Sequence, residues 1–226
     1  MIYLNYTVLD NKMIKGSIMK IYLVRHGETP WNKEGKIQGR SNTKLNEFGV
    51  KLAQITGEAL KDVPFEVVYS SPLDRAKETA EIIKGKRQIP LYTDERIIEM
   101  SFGAAEGADI PEAKRNPENP LYNFLHKPQD YIPAENGETF EDLYKRSNEF
   151  MEQVLIPAEK KYENILVVAH GALNRSLLNQ MGDIPLNEFW RIQLRNCCVS
   201  EIELKDGKFT ITEEGKLYYD EVHDTL

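Results

Sequence analysis

The chain has 226 residues, of which 41% are hydrophobic and 29% are charged, so it is long enough to bury a core and too apolar for a disordered protein. Its net charge of −7 argues against a nucleic-acid partner, because affinity for a phosphate backbone needs an excess of clustered Lys and Arg. No apolar run approaches the roughly 18 residues of a membrane span, so we expect no membrane partner either.

The cysteines and the first residues of the chain indicate its compartment. Cys197 and Cys198 are adjacent, and neighbouring residues are badly placed to form a disulfide. Polar residues at positions 10–12 interrupt the apolar centre that a signal peptide needs, so we expect a cytoplasmic protein. We interpret residues 1–18 as an N-terminal extension, either a flexible tail or the product of an upstream start, and residues 19–226 as a single domain.

The first regular pattern is a short β-branched run at residues 20–24, which predicts a buried strand followed by a loop that begins at Arg25. Asn46 then predicts the cap of a helix, because apolar residues follow it at helical spacing. The predicted core face of this helix consists of Phe48, Leu52, Ile55 and Ala59.

A second strand is predicted at residues 65–69. Ser71 and Pro72 follow it and predict a helix with a serine cap and a proline at its first position, which closes at Gly85. The apolar positions that would face the core along this helix are Leu73, Ala76, Ala80 and Ile83. Residues 89–92 predict a further, weaker strand.

Residues 103–137 contain five prolines and little periodicity, which predicts an irregular excursion with short helical pieces, of the kind that often forms a lid. Thr139 and Asp142 resemble a capping box at the start of a long helix that Pro157 must kink or end. The aromatic residues of this region can either line a substrate pocket or pack in the core or lid. They are Tyr122, Phe124, Tyr131 and Phe140.

Residues 165–169 form an apolar run that predicts another buried strand, and a helix from 172 to 181 is expected to follow it. Two final strands flank Asp206-Gly207, the two-residue signature of a hairpin. Strands that alternate with helices predict a three-layer α/β fold, whose mostly parallel sheet carries helices on both faces and an antiparallel edge strand.

Two of the predicted strands run directly into a histidine, His26 and His170. The carboxyl ends of parallel strands open onto the same edge of a sheet, so we expect these two side chains to meet there. Arg25 flanks the first histidine, and the turn at residues 70–75 brings Arg75 to the start of a helix near the same edge. Two guanidinium groups and a helix N-terminus predict an anion site.

The motif Leu-Val-Arg-His-Gly-Glu-Thr at residues 23–29 resembles the signature of the histidine phosphatase superfamily, also called the phosphoglycerate mutase-like family. Further blocks follow in the family's order, so the resemblance covers most of the chain. They are Asn32, Gln38-Gly39, residues 45–49, residues 70–76, Glu99, Phe102-Gly103, Gly137-Glu138-Thr139 and Ala169-His170-Gly171.

The resemblance implies that neutral His26 attacks phosphorus and carries the phosphoryl group as a phosphohistidine. Glu99 matches the family's general acid, which later acts as the base for water, and His170 stabilises charge in the transition state. The phosphate ligands implied by the resemblance are Arg25, Asn32, Arg75 and His170. We expect no cofactor and no metal, because an unprotonated imidazole can attack without one and no zinc or P-loop motif is present.

Some of these residues have a structural alternative. Arg75, which lies near acidic residues in the sequence, could be a solvated helix arginine in surface ion pairs. Glu99 has acidic neighbours at Glu95, Glu106 and Glu112, and the family match alone ranks it first. Cys197 and Cys198 are expected to behave as small hydrophobes.

We therefore expect a phosphomonoester hydrolase, a phosphatase of the histidine acid phosphatase type, that acts on a small phosphorylated metabolite. One alternative is a phosphoglycerate mutase dependent on 2,3-bisphosphoglycerate, which must keep water away from the phosphohistidine. Such mutases share a longer insertion that contains several arginines. Residues 103–137 are shorter than that insertion, and Arg115 is their only arginine. A catalytically silent phosphate-binding module is the second alternative, and a homodimer stays open.

Overall fold

The computed structural model describes residues 18–220, so the proposed extension at residues 1–18 lies outside the described residues except for its last position. Six strands form one sheet: β1 (Met19–Arg25), β2 (Val67–Ser70), β3 (Leu91–Thr93), β4 (Asn164–Ala169), β5 (Val199–Lys205) and β6 (Lys208–Lys216). The helices are α1 (Pro30–Lys33), α2 (Glu47–Ala59), α3 (Asp74–Lys84), α4 (Ile110–Arg115), α5 (Tyr122–His126), α6 (Phe140–Phe150), α7 (Ile156–Ala158) and α8 (Gly171–Met181).

The sheet has the strand order β3-β2-β4-β1-β5-β6. The first four of these strands are parallel to one another, and β5 and β6 add two antiparallel strands at one edge. The predicted α/β fold is confirmed, with an antiparallel edge that is two strands wide. In the register of β1 and β4, Arg25 lies opposite Ala169, so His26 and His170 leave the sheet side by side.

Both faces of the sheet are covered, as the near-continuous apolar runs predict. Along β1, Ile21 and Leu23 pack into one hydrophobic cluster and Tyr22 and Val24 pack into another. The first cluster includes buried residues of α6 and α8, whereas the second includes buried residues of α3. Successive side chains of a strand point to opposite faces, so this division places the sheet in the middle of three layers.

Two predicted helix details are wrong. Helix α3 begins at Asp74 with Leu73 as its cap residue, and the hydroxyl of Ser71, the predicted cap, lies against His170 and the backbone N–H of Leu73. The core face of α2 is also rotated from the predicted one, since Ala59 is exposed and Ala53 is buried. The cap of α2 at Asn46 is confirmed, with its side chain accepting a hydrogen bond from the backbone N–H of Gly49.

The long helix after the excursion behaves largely as its sequence predicts. Thr139 and Asp142 form the capping box at its start. Helix α6 continues through a π-helical turn at Met151–Leu155 into α7, which ends at Ala158. The helix therefore ends one residue after Pro157, which lacks the N–H group needed to continue it.

Residues 103–137 form the irregular excursion that the prolines predict. It contains α4, α5 and two 3-10 turns, and an isolated bridge joins Phe102 to Gly137 at its two ends. Phe124 stacks on Phe140 with ring centres 5.5 Å apart and contacts Phe102 edge to face at 4.8 Å. These rings anchor the excursion to the core, so packing explains most of its aromatic residues. No helix in the part of the chain that the structure describes is long and apolar enough to cross a membrane.

Two glycines let the loop after β1 approach α2 closely. A Cβ atom at Gly49 would overlap the backbone carbonyl of Glu28, and one at Gly27 would lie 2.6 Å from the carbonyl oxygen of Gly49. The backbone N–H of Asn46 donates to the carbonyl of Glu28 at 3.0 Å, which fixes this approach. The loop that begins with His26 is therefore packed directly on the first turn of α2.

We expect Gly49→Ala to lower the free energy of unfolding by about 1–3 kcal/mol, because its methyl group forces the Glu28 backbone to move. Urea denaturation measures this. Lys51→Ala is the matched control, since Lys51 is exposed on the same helix and its loss should change stability by less than about 0.5 kcal/mol. Equal stability of the two variants would contradict the close approach.

Candidate active site

A cavity of about 300 Å³ lies at the carboxyl edge of the sheet, where β1 and β4 end. The excursion supplies part of its wall through Phe124 and Leu125. Five of the six predicted site residues line it: Arg25, His26, Asn32, Arg75 and Glu99. The sixth, His170, lies behind this lining, with its ring centre 5.1 Å from that of His26.

His26 is buried and held at both ends. Its backbone N–H donates to the carbonyl of Ala169, and its Nδ1 lies 2.7 Å from the carbonyl oxygen of Gly27. A carbonyl can only accept, so Nδ1 carries the proton and Nε2 keeps its lone pair. Burial and the positive charges of Arg75 and Arg25 hold the pKa of His26 well below 6.5. At neutral pH the ring is therefore uncharged, with a nucleophilic Nε2.

His170 is fully buried beside His26. Its Nε2 lies 2.7 Å from the hydroxyl of Ser71, and its buried Nδ1 has no partner among the described residues. Burial, with a smaller effect of Arg75, lowers the pKa of His170 well below 6.5. The site thus pairs two neutral imidazoles.

Arg75 is fully buried, which excludes the alternative of a solvated surface arginine. Its two terminal nitrogens donate to the backbone carbonyls of Ser41 and Gly39 at 2.8 and 2.7 Å, whereas its buried Nε has no partner in the described part of the chain. Burial lowers the pKa of Arg75 to about 10, a shift that the carboxylates of Glu99 and Glu106 oppose. Arg75 is still a cation at neutral pH.

Glu106 holds the loop that receives Arg75. Its carboxylate accepts hydrogen bonds from the backbone N–H groups of Arg40 and Ser41, each at 2.8 Å, and from the Ser41 hydroxyl. This loop supplies the two carbonyls that orient Arg75. Glu106, which in sequence is only an alternative to Glu99, has a supporting role through these contacts.

Arg25 completes the cationic side of the site. One terminal nitrogen donates to the carbonyl of Leu194 at 2.7 Å, and its buried Nε has no partner among residues 18–220. Three buried nitrogens without a partner among the described residues therefore lie near His26: Nε of Arg25, Nε of Arg75 and Nδ1 of His170. Unsatisfied buried donors are costly, and an anion with several oxygens would satisfy all three.

Asn32 presents its amide group to the cavity. Its carbonyl oxygen accepts from the backbone N–H of Thr29 at 3.1 Å and from the amide of Asn196 at 3.3 Å, so its NH₂ group is the end left for a ligand. Asn196 also donates to the backbone carbonyl of His26 at 2.9 Å. Sequence reasoning missed Asn196, because it lies far from both partners along the chain and belongs to no recognised motif.

Glu99 sits at the N-terminus of α8 and is largely buried. Its carboxylate accepts hydrogen bonds from the backbone N–H groups of Met100, Ala172 and Leu173 at 2.9–3.1 Å. The first turn of a helix leaves such N–H groups unpaired, and they orient the carboxylate. Glu99 is the one carboxylate among the cavity-lining residues of the described chain.

Arg175 also lines the cavity and was missed in the sequence analysis. Its guanidinium stacks on Trp190 at 4.8 Å and donates to the carbonyls of Ile192 and Gly171, each at 3.0 Å. Burial lowers the pKa of Arg175 to about 10, with a further contribution from the charge of Arg25. Its position one turn after Gly171 on the helical pattern was the signal that could have identified it.

Within residues 18–220, no group of three or more His, Cys, Asp or Glu side chains is arranged to hold a metal ion.

Comparisons with known proteins show which family the chain resembles over most of its length. Residues 21–216 match the model of the histidine phosphatase superfamily (branch 1). The chain is 36% identical over 197 residues to "Uncharacterized phosphatase PhoE" of Bacillus subtilis, which covers 85% of this chain and 92% of that protein. It is 30% identical over 191 residues to "Probable phosphoglycerate mutase GpmB" of Yersinia pestis, at 84% and 87% coverage. The solved structure "Bacillus stearothermophilus YhfR" has a TM-score of 0.81 and 34% identity, and the match covers 88% of this chain and 98% of that chain.

The lowered pKa of His26 predicts how stability depends on pH. Below pH 6.5 an unfolded chain protonates this histidine while the folded chain does not, so the free energy of unfolding falls as the pH falls. The expected slope is about 1.4 kcal/mol per pH unit for each such histidine, until the folded pKa is reached.

Urea unfolding between pH 7.5 and about 5.5 measures this slope. We expect His26→Gln to have a shallower pH dependence than the wild type. His126→Gln serves as the control, because His126 is exposed and its replacement should leave the slope unchanged. The same slope in all three proteins would show that His26 is not held neutral.

Proposed function

Because the chain belongs to the histidine phosphatase superfamily, as its motifs predict, we propose that it hydrolyses a small phosphomonoester through a phosphohistidine on His26. One arrangement carries this proposal: an unprotonated, buried Nε2 lies close to two buried guanidinium donors without partners, on Arg25 and Arg75, and to the unpartnered Nδ1 of His170. A phosphate monoester supplies nonbridging oxygens for those donors and a phosphorus atom for that nitrogen.

In the first step Nε2 of His26 attacks phosphorus in line with the leaving oxygen. The N–P bond forms, the P–O bond to the alcohol breaks, and the proton on Nδ1 stays hydrogen-bonded to Gly27 as positive charge develops on the ring. Arg25, Arg75 and the amide of Asn32 hold the nonbridging oxygens, because positioning and electrostatics supply most of the catalysis in phosphoryl transfer.

Glu99 serves both half-reactions. In the first step its protonated carboxyl group gives a proton to the leaving alkoxide as the P–O bond breaks. In the second step the carboxylate takes a proton from water, which attacks phosphorus, breaks the N–P bond and releases inorganic phosphate. His26 and Glu99 thereby return to their starting states.

The rival function is that of a mutase, in which the phosphohistidine transfers its phosphoryl group to a second hydroxyl. The similarity to a probable phosphoglycerate mutase supports this alternative. The excursion argues for hydrolysis. Its basic residues that line the cavity are Lys114 and His126, whereas Arg115 is exposed and does not line it. The excursion therefore places no arginine against a second anionic group of a mutase substrate.

Cys197 and Cys198 take no part in the proposed reaction. Both thiols are free and buried, and burial raises the pKa of Cys198 to about 11, which keeps it protonated. Two unpaired thiols support the expectation that the protein works in the reducing cytoplasm.

We expect the purified protein to release phosphate from some members of a panel of phosphomonoesters without added metal. His26→Ala should lower this release about 10³-fold or more, because the nucleophile is lost. Phosphate release measures both, and a thermal melt checks that the variant is folded. Isomerisation of 3-phosphoglycerate with little release would favour the mutase, and neither activity in a folded wild type would favour the silent binding module.

Glu99→Gln should lower kcat about 10²- to 10⁴-fold on alkyl phosphates, because the leaving alkoxide then lacks its proton donor. The loss on p-nitrophenyl phosphate should be much smaller, since p-nitrophenolate leaves without protonation. Glu95→Gln is the control, an exposed carboxylate nearby in sequence that should have no effect. Equal losses on alkyl and aryl substrates would refute the acid role of Glu99.

A further inference from the structure

Ser71 is the one side chain that holds the imidazole of His170 among the described residues. It follows β2, is fully buried, and places its hydroxyl 2.7 Å from Nε2 of His170. Its own backbone N–H donates to the carbonyl of Val168 at 3.0 Å, which ties the serine to the strand that ends at His170. The contact therefore joins the residues that directly follow two neighbouring strands, β2 and β4.

The hydrogen bonds around Ser71 indicate which atom donates. The Ser71 hydroxyl oxygen already accepts from the backbone N–H of Leu73 at 3.3 Å. If Nε2 of His170 also donated to it, the hydroxyl hydrogen would have no acceptor in the described structure, where the contacts of this oxygen are those with Leu73 and His170. Donation from the hydroxyl to Nε2 satisfies both groups. The proton of the neutral ring then lies on Nδ1.

The position of that proton matters because the neutral imidazole of His170 has a hydrogen on only one of its two nitrogens. Burial and the neighbouring arginine lower the pKa of His170, so the ring is uncharged at neutral pH. A neutral imidazole offers a donor at one nitrogen and a lone pair at the other. With Nε2 turned to Ser71, the unpaired Nδ1 is the nitrogen left for a ligand, and it attracts an anion only when it bears hydrogen.

We propose that Ser71 is a positioning residue that fixes His170 in the Nδ1–H tautomer, so that an uncharged ring donates a hydrogen bond to the transferring phosphoryl group. The inference rests on the proposed function only for the identity of that group. The tautomer itself is a property of the free protein. An uncharged donor avoids placing another cation between Arg25 and Arg75, which would have to be desolvated there.

Nitrogen-15 NMR of histidine-labelled protein at neutral pH tests the tautomer directly, because protonated and unprotonated ring nitrogens have well separated shifts. His170→Ala assigns the signals. We expect His170 to be protonated at Nδ1 in the wild type and to lose that preference in Ser71→Ala. A wild-type His170 protonated at Nε2 would overturn the inference whether or not any variant folds.

The kcat and KM of Ser71→Ala distinguish a positioning role of Ser71 from a role in packing alone. Loss of a correctly placed donor should lower kcat of Ser71→Ala about 10- to 100-fold, with a smaller change in KM. Ser70→Ala is the matched control, since Ser70 is equally buried next in sequence and its hydroxyl donates to the Ser71 carbonyl, away from His170. It should keep the wild-type tautomer and a kcat within about twofold of wild type.

The two readouts fail separately. If Ser71→Ala keeps the wild-type tautomer, or its kcat falls no further than that of Ser70→Ala, Ser71 is not the positioning residue. If the tautomer changes as expected in a protein that releases phosphate from no monoester, the inference about Ser71 holds and the proposed function fails. If the wild type releases phosphate but Ser71→Ala keeps the wild-type tautomer, the proposed function holds and the inference about Ser71 fails.

Discussion

The guanidinium of Arg75 is fully buried, donates to the carbonyls of Gly39 and Ser41, and forms no ion pair with any carboxylate of the described chain. A buried cation of this kind is costly unless the surrounding structure is built to hold it. Glu106 provides that support at a distance, by clamping the backbone of the loop that receives the guanidinium. The positive charge of Arg75 is thereby kept free for a ligand.

The same charge contributes to the neutral state of His26, which the proposed reaction needs in its nucleophile. Burial disfavours protonation of the ring most, and Arg75 and Arg25 act in the same direction, so the pKa of His26 is lowered and Nε2 keeps its lone pair. In the proposed reaction, the same cations that help to keep the histidine neutral would also stabilise the oxygens of a bound phosphate dianion. One electrostatic arrangement would thus prepare both the nucleophile and the phosphoryl group.

The fold was largely predictable because apolar runs that end in polar pairs mark buried parallel strands, and the ends of such strands meet. That argument alone brings His26 and His170 together. Contacts that depend on distant backbone groups were not predictable: Ser71 looks like a helix cap in sequence but binds His170, and Asn196 orients Asn32 from the opposite end of the chain. Arg175 could have been placed from its position one turn after Gly171, but no local pattern encodes its stacking on Trp190.

The proposed reaction requires His26 to carry the phosphoryl group. A rapid-mixing experiment with enzyme in excess over a phosphomonoester, quenched in alkali, preserves an acid-labile phosphohistidine for peptide mass spectrometry. We expect a phosphorylated peptide that maps to His26, forms within the first turnover and decays as inorganic phosphate appears. Release of phosphate at the same rate with no labelled peptide, or with the label on another residue, would contradict it.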